Sequence, residues 1–120
     1  MDSKDKEKIE RIITDRKAAH QYYTDNSEVY RRFVEMELKT FEDGALSKKH
    51  KELIAVGISI QTNCESCLEW HIKQAIYDGA SRQEVIEAIE VGIEMGGGPA
   101  TVASRFAMQV LEYYIIKSDK

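Results

Sequence analysis

The sequence predicts an all-α protein, a single compact domain of about six helices. The composition supports this, because 120 residues with one proline, 42% hydrophobic and 32% charged side chains are typical of a helical globular domain. Apolar residues recur at steps of three and four through most of the chain, which indicates helices with one buried face. Residues that cap helices precede these segments, and glycines follow several of them.

The first two helices are predicted over residues 4–23 and 28–42, where apolar side chains lie at helical spacing among charged ones. Residues 24–27, TDNS, are rich in side chains that bond to nearby backbone groups. They are therefore expected to break the first helix and to cap the second. Gly44 is expected to supply the left-handed residue that ends the second helix.

The third helix is predicted to run from its N-cap, Ser47, to Gln61. Its centre, residues 53–60, reads LIAVGISI and is apolar on every side apart from Gly57 and Ser59. Such a helix is expected in the middle of the bundle. A short buried β-strand would give the same run, but the neighbouring segments are helical and no partner strand is visible, which favours a helix.

A fourth helix is predicted over residues 64–77. Thr62 and Asn63 are the residues expected to cap it, and both cysteines would then lie in its first turn. Gly79 is expected to end it.

The last two helices have clear end signals. Ser81 and Glu84 form a capping box that opens a fifth helix through about Met95. The glycines 96–98 break that helix, and Pro99 fits the first position of the last one, where its missing N–H costs nothing. No repeat or long linker divides the chain, so all 120 residues are predicted to form one domain.

The charge and the N-terminus exclude some partners. The net charge of −4 and the absence of a basic run argue against nucleic acid. No signal peptide and no run of about 20 apolar residues is present, so neither secretion nor a membrane is predicted and the expected location is cytoplasmic. In that reducing compartment two cysteines are more often catalytic or metal-binding than a permanent disulfide.

The segment with the most reactive side chains contains Cys64, Cys67 and His71. On a helix, residues three and four apart share one face, so the two thiols and the imidazole would form one stripe. The N-terminus of a helix favours a thiolate over a thiol, and the Cα atoms of such a pair, about 5 Å apart, are within reach of a disulfide. His71 is the natural proton acceptor for an attacking thiol.

A carboxylate behind the imidazole would orient it, and Glu52, Glu65 and Glu69 all qualify. The spacing does not rank them, and Glu69 is equally consistent with a solvated surface charge. His20 and His50 lie in polar surroundings and are expected to be solvated.

The frame E-x11-C-x2-C-x3-H, formed by Glu52, Cys64, Cys67 and His71, resembles that of the alkylhydroperoxidase D-like proteins of the carboxymuconolactone decarboxylase family. The resemblance covers residues 46–114, including the turn DGAS. It implies an all-helical fold assembled as homotrimers or homohexamers, and a thiol peroxidase or disulfide reductase. By match, Cys64 and Cys67 are the redox pair, and Glu52 and His71 relay protons.

The predicted activity is reduction of a hydroperoxide or of a protein or lipoyl disulfide, without an organic cofactor. Cys67, one turn from His71, is expected to attack, and Cys64 to close the disulfide. One residue departs from the family: Ser66 stands where well-studied members have a histidine, and serine is no base near neutral pH.

Two alternatives remain open. One is a non-enzymatic metal-binding or redox-sensing protein, in which Cys64, Cys67, His71 and Glu52 hold zinc, although no third cysteine is present. The other is an enzyme like the γ-carboxymuconolactone decarboxylases. That branch of the family generally lacks the cysteine pair, so the CESC segment argues against it.

Overall fold

The computed structural model describes residues 1–118, which form six α-helices and no β-strand. The helices are α1 (Ser3–Asn26), α2 (Glu28–Thr40), α3 (Lys48–Gln61), α4 (Glu65–Tyr77), α5 (Arg82–Gly96) and α6 (Gly98–Ser118). The predicted all-α fold and the order of its elements are therefore confirmed.

Serine caps start three of the helices as predicted. The side chains of Ser27 and Ser47 accept hydrogen bonds from backbone N–H groups in the first turns of α2 and α3. Ser81 and Glu84 form the complete capping box at α5, each side chain bonded to the other residue's backbone N–H. These ends depend on neighbours in sequence, which is why the sequence predicts them well.

Two predicted helix ends were wrong. Helix α2 ends at Thr40, and Gly44 does not have a positive φ, because the backbone N–H of Phe41 already donates to the carbonyl oxygen of Glu37. Helix α6 begins one residue before Pro99, since Gly97, with φ of 72°, makes the turn and its carbonyl accepts the first bonds of α6.

Helices α3, α4, α5 and α6 enclose the core, with α3 packed against both α4 and α5, and α6 against the other side of both. Helices α3 and α5 approach closely where Gly92 meets Gly57. A Cβ atom at Gly92 would lie 2.8 Å from the Gly57 carbonyl oxygen and 2.7 Å from the Cβ of Ile60. This contact has no room for a methyl group, so it fixes the position of α3 and of the charged residues at its start.

Helix α3 packs against α4, α5 and α6, as expected for a helix in the middle of the bundle, but one of its faces is left open. Val56 and Ile60 are buried, but Ile54 is 50% exposed and Ile58 is 57% exposed. Their side chains, with Val91 of α5, line an apolar groove of about 700 Å³ between the two helices, called here the α3–α5 groove. The all-round apolar pattern thus reflects two apolar surfaces, one in the core and one on the outside.

Helices α1 and α2 lie outside this core. Helix α1 packs against α4 and α6 through Ile9. Among the six described helices, α2 packs only against α1, and it buries none of its residues. Val29, one of the apolar side chains at helical spacing in this helix, is 81% exposed. Within residues 1–118, no helix is both long and apolar enough to cross a membrane.

Candidate active site

The two cysteines lie at the N-terminus of α4 and are joined by a disulfide bond. Their Cα atoms are 5.2 Å apart, as the helical spacing predicted. The cap of α4 is Cys64 itself, so the predicted caps Thr62 and Asn63 were wrong. Asn63 has φ of 52° and forms the turn between α3 and α4, which leaves Cys64 at the cap position.

The sulfur of Cys64 takes the role that a serine or aspartate oxygen usually has at a helix cap. It accepts a hydrogen bond from the backbone N–H of Cys67, with 3.2 Å between nitrogen and sulfur. When the disulfide is reduced, this N–H and the positive end of the helix dipole stabilise a thiolate at Cys64. Both cysteines are partly exposed, so a reagent can reach them.

His71 lies one helical turn after Cys67, and the residue behind it is Glu52 of α3. The Nδ1 atom of His71 is 2.7 Å from Oε1 of Glu52, whose side chain is almost fully buried at 2% exposed. The ring of Phe41, just past α2, stacks on the imidazole with 5.4 Å between ring centres. Of the three carboxylates that the sequence left open, Glu52 is the one that reaches the imidazole.

Lys48, one turn before Glu52 on α3, completes this cluster, and sequence reasoning missed it. Its Nζ atom is 3.0 Å from Oε2 of Glu52, 2.6 Å from Oδ2 of Asp78 and 3.0 Å from Oε1 of Gln74. Burial would lower the pKa of Lys48, but the hydrogen bonds and charges of Asp78 and Glu52 outweigh it and raise that pKa. Only the four-residue spacing of Lys48 and Glu52 was a signal in the sequence.

The contacts of Glu52 let us assign the proton on the imidazole. Because the Lys48 ammonium binds one oxygen of Glu52, the group is a carboxylate and acts as an acceptor. The Nδ1 atom of His71 must then carry a hydrogen and donate it to the other oxygen. In the neutral ring, Nε2 is left as the atom that can take a proton.

The other two glutamates have different partners. Glu65 binds Lys8 of α1, with 2.7 Å between Oε2 and Nζ. Glu69 is wholly buried, so of the two readings left open for it the solvated surface charge is excluded, and it does not contact His71. Arg16 donates to it through Nε at 3.0 Å and Nη2 at 3.2 Å, and the hydroxyl of Tyr114 donates to the same carboxylate.

Two further expectations concern the remaining histidines and zinc. His20 and His50 are exposed as predicted, and each contacts a hydroxyl, that of Tyr30 or of Ser47, at 2.7 Å. Within the described residues, no three side chains of histidine, cysteine, aspartate or glutamate are grouped so that they could hold a metal ion. Cys64 and Cys67, two of the four ligands in the alternative zinc-binding hypothesis, are bonded to each other here.

The fold and the cysteine pair agree with the family to which the sequence is similar. The profile of the carboxymuconolactone decarboxylase family matches residues 27–110. The chain belongs to the carboxymuconolactone decarboxylase family. A curated relative from Paracoccus denitrificans, named as uncharacterized protein 4 in the cox locus, is 40% identical over 80 residues, which are 67% of this chain and 72% of that protein.

Solved structures of other family members have the same fold. A carboxymuconolactone decarboxylase family protein from Legionella pneumophila superposes with a TM-score of 0.82 at 28% identity, over 89% of this chain and 96% of that one. A family protein from Thermotoga maritima gives a TM-score of 0.83 at 23% identity, over 91% and 93% of the two chains. At 23% identity, the similarity to the Thermotoga maritima protein shows a shared fold and no more.

Proposed function

We propose that this protein is a thiol-dependent oxidoreductase whose Cys64–Cys67 pair cycles between dithiol and disulfide. The observation that carries the proposal is the disulfide at the N-terminus of α4 with the His71–Glu52 pair one turn away. Its oxidising substrate is a hydroperoxide or a protein or lipoyl disulfide. A dithiol of a redox partner protein, or a small dithiol, returns the pair to the reduced state.

With a disulfide as substrate, the Cys67 thiolate attacks one sulfur, forms a mixed disulfide and releases the other sulfur as a thiolate. His71 gives that thiolate the proton it took from Cys67, with Glu52 stabilising the imidazolium in between. The Cys64 thiolate then attacks the Cys67 sulfur, closes the internal disulfide and releases the second substrate sulfur as a thiolate, which takes a proton from solvent. The N–H of Cys67 holds Cys64 ready for this step.

With a hydroperoxide, the Cys67 thiolate attacks the terminal oxygen, becomes a sulfenic acid and releases an alkoxide, which His71 protonates to the alcohol. The Cys64 thiolate attacks the Cys67 sulfur and closes the disulfide, and the hydroxide that leaves takes a proton from solvent to become water. The two thiols lose two electrons and the peroxide gains them. Ser66 is exposed beside this pair and supplies no base, so we rank disulfide exchange ahead of peroxide reduction.

The direct test is the intact mass of fully reduced protein before and after one equivalent of cumene hydroperoxide or of oxidised lipoamide. The parent should lose two hydrogens with either oxidant. Cys64→Ser should stop at one added oxygen or at a lipoamide adduct, because Cys67 attacks and nothing resolves it. A Cys67→Ser variant with full turnover would overturn the proposal, and Ser66→His is the matched variant expected to speed only the peroxide reaction.

We also propose that the chain forms a homotrimer or homohexamer, the assemblies that the resemblance implies. Two apolar surfaces support association, because apolar surface on a folded domain usually marks a contact site. They are the α3–α5 groove and the exposed side chains Val29, Phe33, Met36 and Leu38 of α2. Sedimentation equilibrium should give three or six times the chain mass of 13.7 kDa, and Ile58→Glu should reduce it. A monomer at micromolar concentration would contradict the proposal.

A further inference from the structure

We propose that Lys48 is a positioning residue of the proton relay, which holds the Glu52 carboxylate ionised and aimed at His71. The inference rests on the proposed function, since it concerns how the same site moves protons. Lys48 does not contact the cysteines in the structure, so it acts through Glu52. It sets the pH range in which the Glu52–His71 pair is free to accept a proton.

The geometry around Lys48 supports this role. Its ammonium has three donors and finds three oxygens within 3.0 Å, on Glu52, Gln74 and Asp78. These partners come from α3, from α4 and from the residue that caps the end of α4. The ammonium is thus held in place, and it fixes the one oxygen of Glu52 that His71 does not use.

The charges explain why the ammonium is needed. Among the described residues, the charged groups bonded to the pair are Lys48 and, through Lys48, Asp78, while Gln74 and the ring of Phe41 are neutral. Cys67, one helical turn before His71, adds a titratable thiol only when the disulfide is reduced. With a neutral imidazole, the two carboxylates and one ammonium sum to one negative charge. When His71 takes a proton, the cluster becomes neutral, so it favours the imidazolium that forms during the reaction.

Removing the ammonium would leave two carboxylates beside a single imidazole. The Glu52–His71 pair would then take up a proton at higher pH, before any thiol delivers one. A pair that is already protonated cannot accept the proton of Cys67. The acid limb of the pH–rate profile should therefore move to higher pH in Lys48→Met. Removal of the Asp78 carboxylate should move the acid limb to lower pH, because Lys48 would then act on Glu52 alone.

The experiment measures the rate at which iodoacetamide alkylates the reduced protein from pH 4 to 9, roughly the range in which an imidazole beside a carboxylate titrates. The ring ¹⁵N chemical shifts of His71 are recorded over the same range. Lys48→Met should raise the midpoint of both by about one pH unit, because the imidazolium loses a nearby positive charge that disfavours it. Lys48→Arg should restore the parent midpoint. Asp78→Asn should lower it.

The matched control is Lys49→Met, one residue further along α3. Within residues 1–118 the one carboxylate that Lys49 contacts is Glu84 of α5, at 2.9 Å, and Lys49 is buried to a similar extent as Lys48. The midpoints of alkylation and of the His71 ring titration in Lys49→Met should equal those of the parent. Equal shifts in the Lys48 and Lys49 variants, or shifts of the same sign in Lys48→Met and Asp78→Asn, would overturn the inference.

The ring titration keeps the inference separate from the proposed function. If no oxidant turns over but the His71 titration shifts as expected, the proposed function fails and the role of Lys48 stands. If turnover occurs and no variant shifts the titration, the role of Lys48 fails. If Lys48→Met does not fold, Asp78→Asn still gives the sign test, and a midpoint of Asp78→Asn that does not fall below that of the parent would overturn the inference.

Discussion

Two buried glutamates, Glu52 and Glu69, differ in what surrounds them. Glu52 faces an imidazole, a group that exchanges protons near neutral pH, and its second oxygen faces an ammonium. Glu69 faces the guanidinium of Arg16, which stays charged, and a tyrosine hydroxyl. Burial makes both carboxylates unusual, but only the partner decides whether a proton can move.

The Glu69 cluster has the properties of a structural tie. It joins α1, which carries Arg16, to α4 and α6, and the guanidinium also lies 4.7 Å from the ring centre of Trp70. Burial first, and then the bond to Glu69, raise the pKa of Tyr114, so that hydroxyl remains a donor. A cluster of this kind fixes a helix and offers no proton to a reaction at neutral pH.

The largest expected effect is on stability and comes from Glu69→Ala. The substitution leaves Arg16 half-buried without its carboxylate, which should lower the free energy of unfolding by about 3–5 kcal/mol. Urea denaturation measures this. Glu65→Ala, which removes an exposed pair with Lys8, should cost about 1 kcal/mol or less. A shifted pH profile of thiol alkylation in Glu69→Ala would contradict the separation of the two clusters.

The next effect is on rate and comes from Glu52→Gln. The amide keeps the shape but does not stabilise an imidazolium, so turnover with oxidised lipoamide should fall about 100-fold, or about 2.7 kcal/mol, the lower range for general acid–base catalysis. The quantity to measure is kcat/KM at pH 7. Glu69→Gln is the control, and it should lower stability more than rate. Equal rate losses in both variants would make the two glutamates equivalent.

The smallest effect is confined to high pH. Burial, and then the hydrogen bond to Glu10, raise the pKa of Tyr113 from 10.0 to about 12. Between these values the folded chain keeps a proton that the unfolded chain has lost, so stability is complete below pH 10 and falls as the pH rises towards 12.

That loss should be on the order of 1 kcal/mol, because solvent near Glu10 weakens the effect of a two-unit shift. Urea midpoints at pH 9 and pH 11 would measure it. Tyr113→Phe should reduce the alkaline loss, whereas Lys48→Met should leave it unchanged. An alkaline loss of full size in Tyr113→Phe would show that other groups cause it.

Local patterns explain how much of the fold was predictable. The serine caps, the glycine turn at Gly79 and the alignment of Cys64, Cys67 and His71 all depend on residues within four positions of each other. The errors at local level were small. Gly44 was not needed because Phe41 already closes α2, and Cys64 replaced its neighbours as a cap because Asn63 makes the turn.

Distant contacts explain what the sequence left open. Glu52 lies between a lysine and a leucine, and Glu69 lies between two apolar residues just before His71. Residues two apart on a helix do not face each other, but no local pattern shows that Glu52, on another helix, reaches the imidazole. The answer depends on α3 crossing α4, which places Glu52 beside His71 although 19 positions separate them. Glu69 is 53 positions from Arg16 and 45 from Tyr114, so its burial could not be read from its neighbours.

The sequence by itself determined the helices, their serine caps and the stripe of two thiols and an imidazole, because helix geometry follows from short-range spacing. Only the tertiary structure decided which carboxylate supports that imidazole, that Lys48 joins it, and which apolar face of α3 stays open. Those outcomes depend on how helices pack, since a buried charge is stable only where the folded chain brings it a partner.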